Sequence, residues 1–324
     1  MVTGVFVADR MVIGVDLGGT NTRIALVGHD GIVLAKQSEE TRASEGHEKL
    51  IAKLIGNIER QFASAGSQGR QVVAVGVGAP GVIHEQTGVV VKSPNFPDWN
   101  NLPLKKTLEG ALKLPVFIEN DANAAALGEQ WRGAAKDIGS MIFLTLGTGV
   151  GGGIVLDGRI WHGADGMAGE IGHMTIVPQG RTCGCGNTGC LEMYASSRGI
   201  VMNFMEIASA QFKGGGERPG ITSAEVYQAA RTGDPQALYA MQEMGRSLGI
   251  GISNLINIFN PEMVVIGGRV KDAWDLFIDA TKVEIKKRAF QYPAERTKIV
   301  PSLLGDDAGM VGAAAVAFQR TALA

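Results

Sequence analysis

One unit that occurs twice constrains this chain more than anything else in it. Met11 to Val15 is an apolar run, followed by Asp16-Leu-Gly-Gly-Thr-Asn-Thr-Arg23 and a second apolar run, Ile24 to Val27. Asp30-Gly31 is a hairpin turn signal, and Ile32 to Ala35 reads as a third strand. The same order returns as Met141 to Leu146, the glycine knot Gly147-Thr-Gly-Val-Gly-Gly-Gly153, Ile154 to Leu156, Asp157-Gly158 and a strand begun by Ile160-Trp161. Leu17-Gly18 aligns with Leu146-Gly147, and the second copy is about two residues shorter before its Asp-Gly turn. A duplicated strand–glycine turn–strand unit predicts two similar α/β lobes.

The segments between the copies fit that architecture. Leu50, Ile51, Leu54, Ile55, Ile58 and Phe62 give Glu48 to Ala65 a helical period that stops at Gly66. Val72 to Val77 and Val116 to Ile118 read as buried strands, and Ala122 to Trp131 as an alanine-rich helix. Between these strands lies a loop, Pro94-Asn-Phe-Pro-Asp-Trp99. From Ser196 the pattern is mostly helical, interrupted by a loop at Lys213 to Pro219 and a break at Gly233-Asp234-Pro235. Met263 to Ile266 is one more buried strand, ending at Gly267-Gly268, and a helix over Met310 to Gln319 closes the chain.

Composition excludes several classes. At 324 residues the chain can bury a core in each of two lobes, and a formal charge of -2 offers no basic face for a phosphate backbone. No apolar run approaches the ~20 residues that span a bilayer, and Val2 to Ala8 is short and lacks a basic leader. It reads as an N-terminal extension, with the structured chain starting near Met11. All three cysteines, Cys183, Cys185 and Cys190, lie in one short stretch with His173 upstream, in the spacing H-x9-C-x-C-x4-C with glycines interleaved. An odd number of clustered thiols argues against disulfides and for a reducing cytoplasm. Three thiolates and an imidazole suit a closed structural Zn²⁺ site with no open position for a catalytic water. Free buried cysteines are the plainer reading, which the spacing disfavours.

Gly76, Gly78, Gly81 and Gly147, Gly149, Gly152 both match G-x-G-x-x-G. A dinucleotide fingerprint needs a helix directly after its glycines, whereas strands follow both here, and there is no Gly-Lys-Ser/Thr of a P-loop. What remains is a pair of glycine turns at strand ends, whose backbone N–H groups can cradle anions. Thr20, Thr22 and Thr148 add hydroxyl donors, and Asp16, an acid within such a turn, makes sense beside phosphate if Mg²⁺ lies between them. One such turn alone could be a tight bend and no more.

Together D-L-G-G-T-N-T-R, L-G-T-G-V-G-G-G, E-N-D-A-N-A-A-A and E-I-G-H…C-G-C-G-N-T-G-C-L-E resemble the ROK family of sugar kinases, most closely its bacterial glucokinases. The match runs in order from about Met11 to the last helix. It implies the two-lobed actin/hexokinase/Hsp70-like ATPase fold with an inter-lobe cleft. The smaller lobe is expected over residues 1–121 plus 305–324, and the larger over 122–304, which carries the zinc stretch 170–192. The resemblance implies ATP with Mg²⁺ as donor, held by Asp16, Gly18, Gly19, Thr20 and Asn21, by Gly147, Thr148 and Gly149, and by Gly267 and Gly268 on the adenosine side. It implies Asp121 as the catalytic base and Asn95, Asn120, Asp121, Glu170, His173 and Glu192 as ligands of a hexose. On residue type alone, Asp121 is better explained as a helix cap, and Glu192 as a surface residue opening a helix. His173 is expected to serve both metal and sugar, one ring nitrogen for each. The implied reaction is phosphorylation of the 6-hydroxyl of glucose. A kinase of N-acetylmannosamine or another hexose is the neighbouring alternative, and a polyphosphate-using relative is disfavoured. A sugar-sensing regulator of the same family is disfavoured because only about ten residues precede the first strand, too few for a helix-turn-helix module. A zinc-knuckle nucleic-acid binder lacks its basic patch. The family implies a homodimer or homotetramer and no nucleic-acid or membrane partner.

Overall fold

The computed structural model describes residues 10–67, 69–210 and 220–322. The apolar stretch Val2 to Ala8 and the expected loop Lys213 to Pro219 lie outside the described residues. The chain opens with β1 (Arg10–Leu17), β2 (Asn21–Gly28) and β3 (Val33–Glu40), then α1 (His47–Ser67) and β4 (Gln71–Ala79). Three short strands, β5 (Val82–His84), β6 (Val89–Lys92) and β7 (Asn100–Leu102), precede α2 (Leu104–Leu112), β8 (Val116–Asn120) and α3 (Asp121–Arg132). The second copy of the duplicated unit is β9 (Met141–Leu146), β10 (Val150–Leu156) and β11 (Arg159–Ile160). Helices α4 (Glu192–Ala195), α5 (Ser197–Ala210), α6 (Ser223–Arg231) and α7 (Pro235–Phe259) follow, then β12 (Met263–Gly267). The chain ends with α8 (Trp274–Arg288), α9 (Gln291–Arg296), β13 (Lys298–Pro301) and α10 (Ala308–Ala322).

Among the described residues the strands form sheets in the orders β3-β2-β1-β4-β8, β11-β10-β9-β12-β13 and β5-β6-β7. The two copies of the repeat therefore occupy matching places in two five-stranded sheets. β1, β4 and β8 run parallel, as do β9, β12 and β13, so their carboxyl ends emerge at one edge of each sheet. That edge is where open α/β sheets bind ligands. The third strand runs to Glu40, beyond the expected Ala35, because Val33, Ala35 and Gln37 alternate half-buried with exposed neighbours. Such an edge strand carries a period-2 pattern and no apolar run.

The described residues divide into two compact units, one within Met1–Ile138, Gly153–Ala168 and Leu303–Ala324, the other Gly139–Gly152 and Gly169–Ser302. Helix α3 stays in the first unit with α10, where an expected boundary at residue 122 would have parted them. The two helices touch at backbone level: a Cβ on Gly312 would overlap the carbonyl of Ala124, and one on Gly14 of β1 would overlap the carbonyl of Met310. Small residues thus bring α10 down onto both sheet and helix. In the first unit the core is Ile13, Val15, Leu17, Ile24, Leu26, Val75 and Val77 packed against Leu50, Leu54 and Ile58 of α1. Among the described residues no helix is long and apolar enough to cross a membrane.

Candidate active site

In the first unit the parallel strands β1, β4 and β8 deliver Asp16, Gly78 and Ala79, and Asn120 to one sheet edge, with Asp16 paired to Gly78 and Ala79 to Asn120. The first glycine turn is closed by Gly18 N donating to Asn21 O at 3.0 Å. Thr41 braces it from outside, its N donating to Thr20 O at 2.8 Å and its hydroxyl to Gly18 O at 2.6 Å. Thr20, at the tip, stays exposed. Asn95 lies against the turn, since a Cβ on Gly19 would stand 3.0 Å from Asn95 Nδ2. Its loop is anchored by the stacked, buried rings of Phe96 and Trp99, 4.4 Å between centroids. A second anchor is Asp98, which accepts from His47 N at 2.8 Å at the start of α1.

Asp16 is the electrostatic centre of this edge. Burial, followed by the negative charge of Asp121, raises its carboxyl from 3.8 to about 6, against the opposing pull of Arg23. Arg23 Nη1 lies 3.3 Å from Asp16 Oδ2, and its other terminal nitrogen reaches Asp306 at 3.0 Å. Sequence reading did not single out Arg23 as a partner. Counting back from the turn would have found it, because Asp16 and Arg23 are opposed across the hairpin.

The cap of α3 is Asn120, whose Oδ1 accepts from Ala122 N at 2.9 Å and Asn123 N at 3.2 Å. The cap reading of Asp121 is thereby overturned: Asp121 is the first helical residue, half-buried, with Oδ1 2.9 Å from Ala122 N. Asn120 also donates through Nδ2 to Gly81 O at 3.2 Å. Asp16, Gly18, Gly19, Thr20, Asn21, Asn95, Asn120 and Asp121 therefore belong to one neighbourhood of the first unit.

The second unit gathers the other candidates. Its glycine turn is closed by Gly147 N donating to Gly149 O at 2.9 Å, and Ser197 N at the start of α5 donates to Gly147 O at 2.8 Å. Thr148 is exposed at the tip. Glu192, half-buried at the start of α4, accepts from Val150 N at 3.0 Å. A Cβ on Gly149 would overlap the same carboxylate, so this glycine makes room for Glu192. Gly268 follows β12 at φ +78 and packs on the backbone of Leu146, next to that turn, while Gly267 is buried in the strand end.

Here too lies the cysteine cluster. One ligand atom each from His173, Cys183, Cys185 and Cys190 falls within 4.8 Å of the others. A tetrahedral zinc with Zn–S of about 2.3 Å and Zn–N of about 2.0 Å has edges of about 3.8 Å between sulfurs and about 3.6 Å from sulfur to nitrogen. Cys185 and Cys190 sulfurs are 3.8 Å apart, and Cys183 Sγ is 3.6 Å from His173 Nδ1. The donor set fits. Burial and the neighbouring thiols push the Cys190 thiol up to about 12, a penalty on thiolates that a bound cation relieves. Asn187 donates to Cys190 Sγ at 3.5 Å, the kind of outer bond that orients a metal ligand. With Nδ1 turned to the sulfurs, Nε2 of His173 faces the other way, 3.9 Å from Glu170 Oε2. Glu170 is exposed and His173 half-buried.

Comparison with known proteins agrees over the whole length. The sequence profile of the ROK family matches residues 12–320. The chain is 38% identical over 311 residues to a glucokinase of Halalkalibacterium halodurans, covering 94% of each. It is 36% identical over 309 residues to a xylose repressor of Caldicellulosiruptor bescii, covering 94% of this chain and 77% of the repressor. Among solved structures, a ROK family glucokinase from Streptomyces griseus in complex with glucose and AMPPNP superimposes with a TM-score of 0.78 at 36% identity, covering 95% of this chain and 99% of that one.

Proposed function

The chain belongs to the ROK family and is a sugar kinase of the actin-like ATPase fold, and from that premise we propose that it transfers the γ-phosphoryl group of ATP to the 6-hydroxyl of glucose. The observation that carries the proposal is the pair of half-buried acids, Asp16 and Asp121, beside the first glycine turn. Asp16 holds its proton up to about pH 6 because burial and the charge of Asp121 both oppose ionisation. An acid placed so beside a turn that binds phosphate calls for a cation, and Mg²⁺ would supply neutralisation of the phosphate charge there.

In this reading Asp121 accepts the proton of the sugar hydroxyl as that oxygen bonds to the γ-phosphorus and the bond to the β-phosphate oxygen breaks, releasing ADP. The backbone N–H groups around Gly18, Gly19, Thr20 and Asn21, and around Gly147, Thr148 and Gly149, bind the phosphates, with Gly267 and Gly268 toward the adenosine. On the family resemblance, Asn95, Asn120, Asp121, Glu170, His173 and Glu192 serve sugar hydroxyls, whose paired donor and acceptor character suits amides and carboxylates. Zinc on His173 Nδ1, Cys183, Cys185 and Cys190 is structural, leaving Nε2 of His173 for substrate. A homodimer or homotetramer is the assembly that the family resemblance suggests.

The substrate within the hexoses is the finest part of the proposal. It rests on the glucokinase relatives, and a solved relative from Listeria monocytogenes described as a putative N-acetylmannosamine kinase, 27% identical, supports the second reading. A coupled ADP-release assay across glucose, mannose, fructose, N-acetylglucosamine and N-acetylmannosamine separates them. Preference for glucose by kcat/KM is expected, and preference for an acetylated amino sugar would replace glucose with it.

A further inference from the structure

The residue before Asn120 and Asp121 is a buried carboxylate with no part in the mechanism so far. Glu119 is 4% exposed, and nearly every acceptor position on it is used. Oε1 accepts from its neighbour Asn120 N at 3.0 Å and from Asn123 Nδ2 at 3.1 Å, on the first turn of α3. Oε2 faces Nε2 of His162 at 2.8 Å. A carboxylate this deep is tolerated only when its charge is matched and its lone pairs are filled. Among the described residues, the cation paired with it is His162, on the segment that leaves β11.

His162 is itself enclosed by charge. Its Nδ1 lies 3.6 Å from Glu85 Oε2 in the turn after β5, and Arg320 of α10 pairs with Glu85 at 2.8 Å. With a carboxylate at each ring nitrogen, the doubly protonated ring is the form that satisfies both. Burial pulls its pKa down, but hydrogen bonding and attraction to Glu119, then Glu85, outweigh burial and leave it above its ordinary value, with Arg320 opposing. The row Glu119–His162–Glu85–Arg320 thus alternates in sign across β8, the β11 segment, the β5 turn and α10.

We propose that His162 is a positioning residue for phosphoryl transfer: as the buried counter-charge of Glu119, it fixes the junction of β8 and α3 that presents Asn120 and Asp121. The inference rests on Asp121 being the base, and adds a residue outside the motifs of the resemblance and outside the residues assigned to the sugar. Removing His162 leaves Glu119 buried and unpaired. The carboxylate then takes up a proton or turns outward, loosening the bonds to Asn120 N and Asn123 that hold the junction. A shift of ~1 Å in a reacting group is enough to cost about 100-fold in rate.

The test compares wild type, His162→Ala, His162→Gln and Glu119→Gln in steady-state kinetics with glucose and ATP from pH 6 to 10, with thermal melting of each. His162→Ala should lower kcat about tenfold or more while the KM for glucose moves less than about threefold, because the transfer geometry changes and hydroxyl binding does not. His162→Gln, which keeps one N–H toward Glu119, should recover part of that loss. Wild-type kcat should fall on the alkaline side as the imidazolium loses its proton, and that limb should flatten in the His162 and Glu119 variants. Folded variants with wild-type kcat and an unchanged pH profile overturn the proposal, as does a lowered melting temperature with kcat intact. Should His162→Ala fail to fold, His162→Gln and Glu119→Gln decide on the same readouts. Absence of turnover in the wild type overturns the kinase reading and this inference together. Normal wild-type turnover with unaffected variants overturns this inference alone.

Discussion

The two glycine turns began as copies of one unit and now sit in different chemistry. The first is closed by its own hairpin and braced by the Thr41 hydroxyl, with a half-buried acid, Asp16, two residues before Gly18. The second has no acid in its own strand. Instead a carboxylate comes from elsewhere, Glu192, hydrogen-bonded to Val150 N just past the turn, and Ser197 N holds Gly147 O. Glu192 stands two residues after Cys190, so the second turn is shaped by the cysteine stretch as much as by its own strands. The comparison teaches that a repeated backbone turn fixes where N–H groups point, while the charge around it is supplied by the surroundings.

If the acid chemistry belongs to the first turn, the largest effect comes from Asp121→Asn. Turnover should fall about 10²- to 10⁴-fold, the range for loss of a positioned base, while equilibrium sugar binding survives. Substantial retained turnover removes Asp121 as the base and breaks the comparison at its centre. If the second turn depends on the cysteine stretch, Cys185→Ser should release zinc, seen by metal analysis, and weaken glucose affinity about 10- to 100-fold. A purified protein without zinc would end that account. Weakened ATP affinity in the same variant would sharpen the comparison by tying the turn to the metal.

Paired glycine substitutions give a smaller and more local reading. Gly149→Ala places a methyl against Glu192 Oε2, so displacement of that carboxylate should destabilise the protein by about 1–3 kcal/mol in denaturant unfolding. Gly147→Ala meets nothing within 4 Å and should stay within about 0.5 kcal/mol of wild type. Equal costs at the two positions would mean that Glu192 does not shape the turn.

The least costly change to the fold is also the most informative about charge. For Asp16 the folded carboxyl titrates above the unfolded one, so between pH 3.8 and about 6 the native state holds the extra proton and stability falls as pH rises. Above that window the ionised acid costs at most about 3 kcal/mol, from a shift of roughly two pH units. Asp16→Asn should therefore melt higher than wild type at pH 7, converge with it below pH 4, and lose activity. A lower melting temperature at pH 7 would show that the pairing of Asp16 with Arg23 outweighs its burial.

Much of this was written in local pattern. The apolar runs of the buried strands, the period of 3.6 in α1, and glycine knots at strand ends are properties of neighbours in sequence, so the repeat and the clustering of His173 with the three cysteines follow from sequence alone. The same locality explains the misses. β3 ran past Ala35 because an alternating edge strand has no apolar run, and α3 stayed with α10 because helix packing through Gly312 joins residues far apart in the chain.

Sequence by itself determined that this protein repeats a strand–glycine turn–strand unit and gathers one histidine and three cysteines into a short stretch, because turns and residue spacing act over a few residues. Only the tertiary structure decided that Asn120 caps the helix beside Asp121, that Gly149 yields to Glu192, and that Glu119 is matched by His162. Each of these joins a burial cost to a partner that no spacing rule ties to it, and charge, unlike periodicity, is satisfied by whatever the fold brings near.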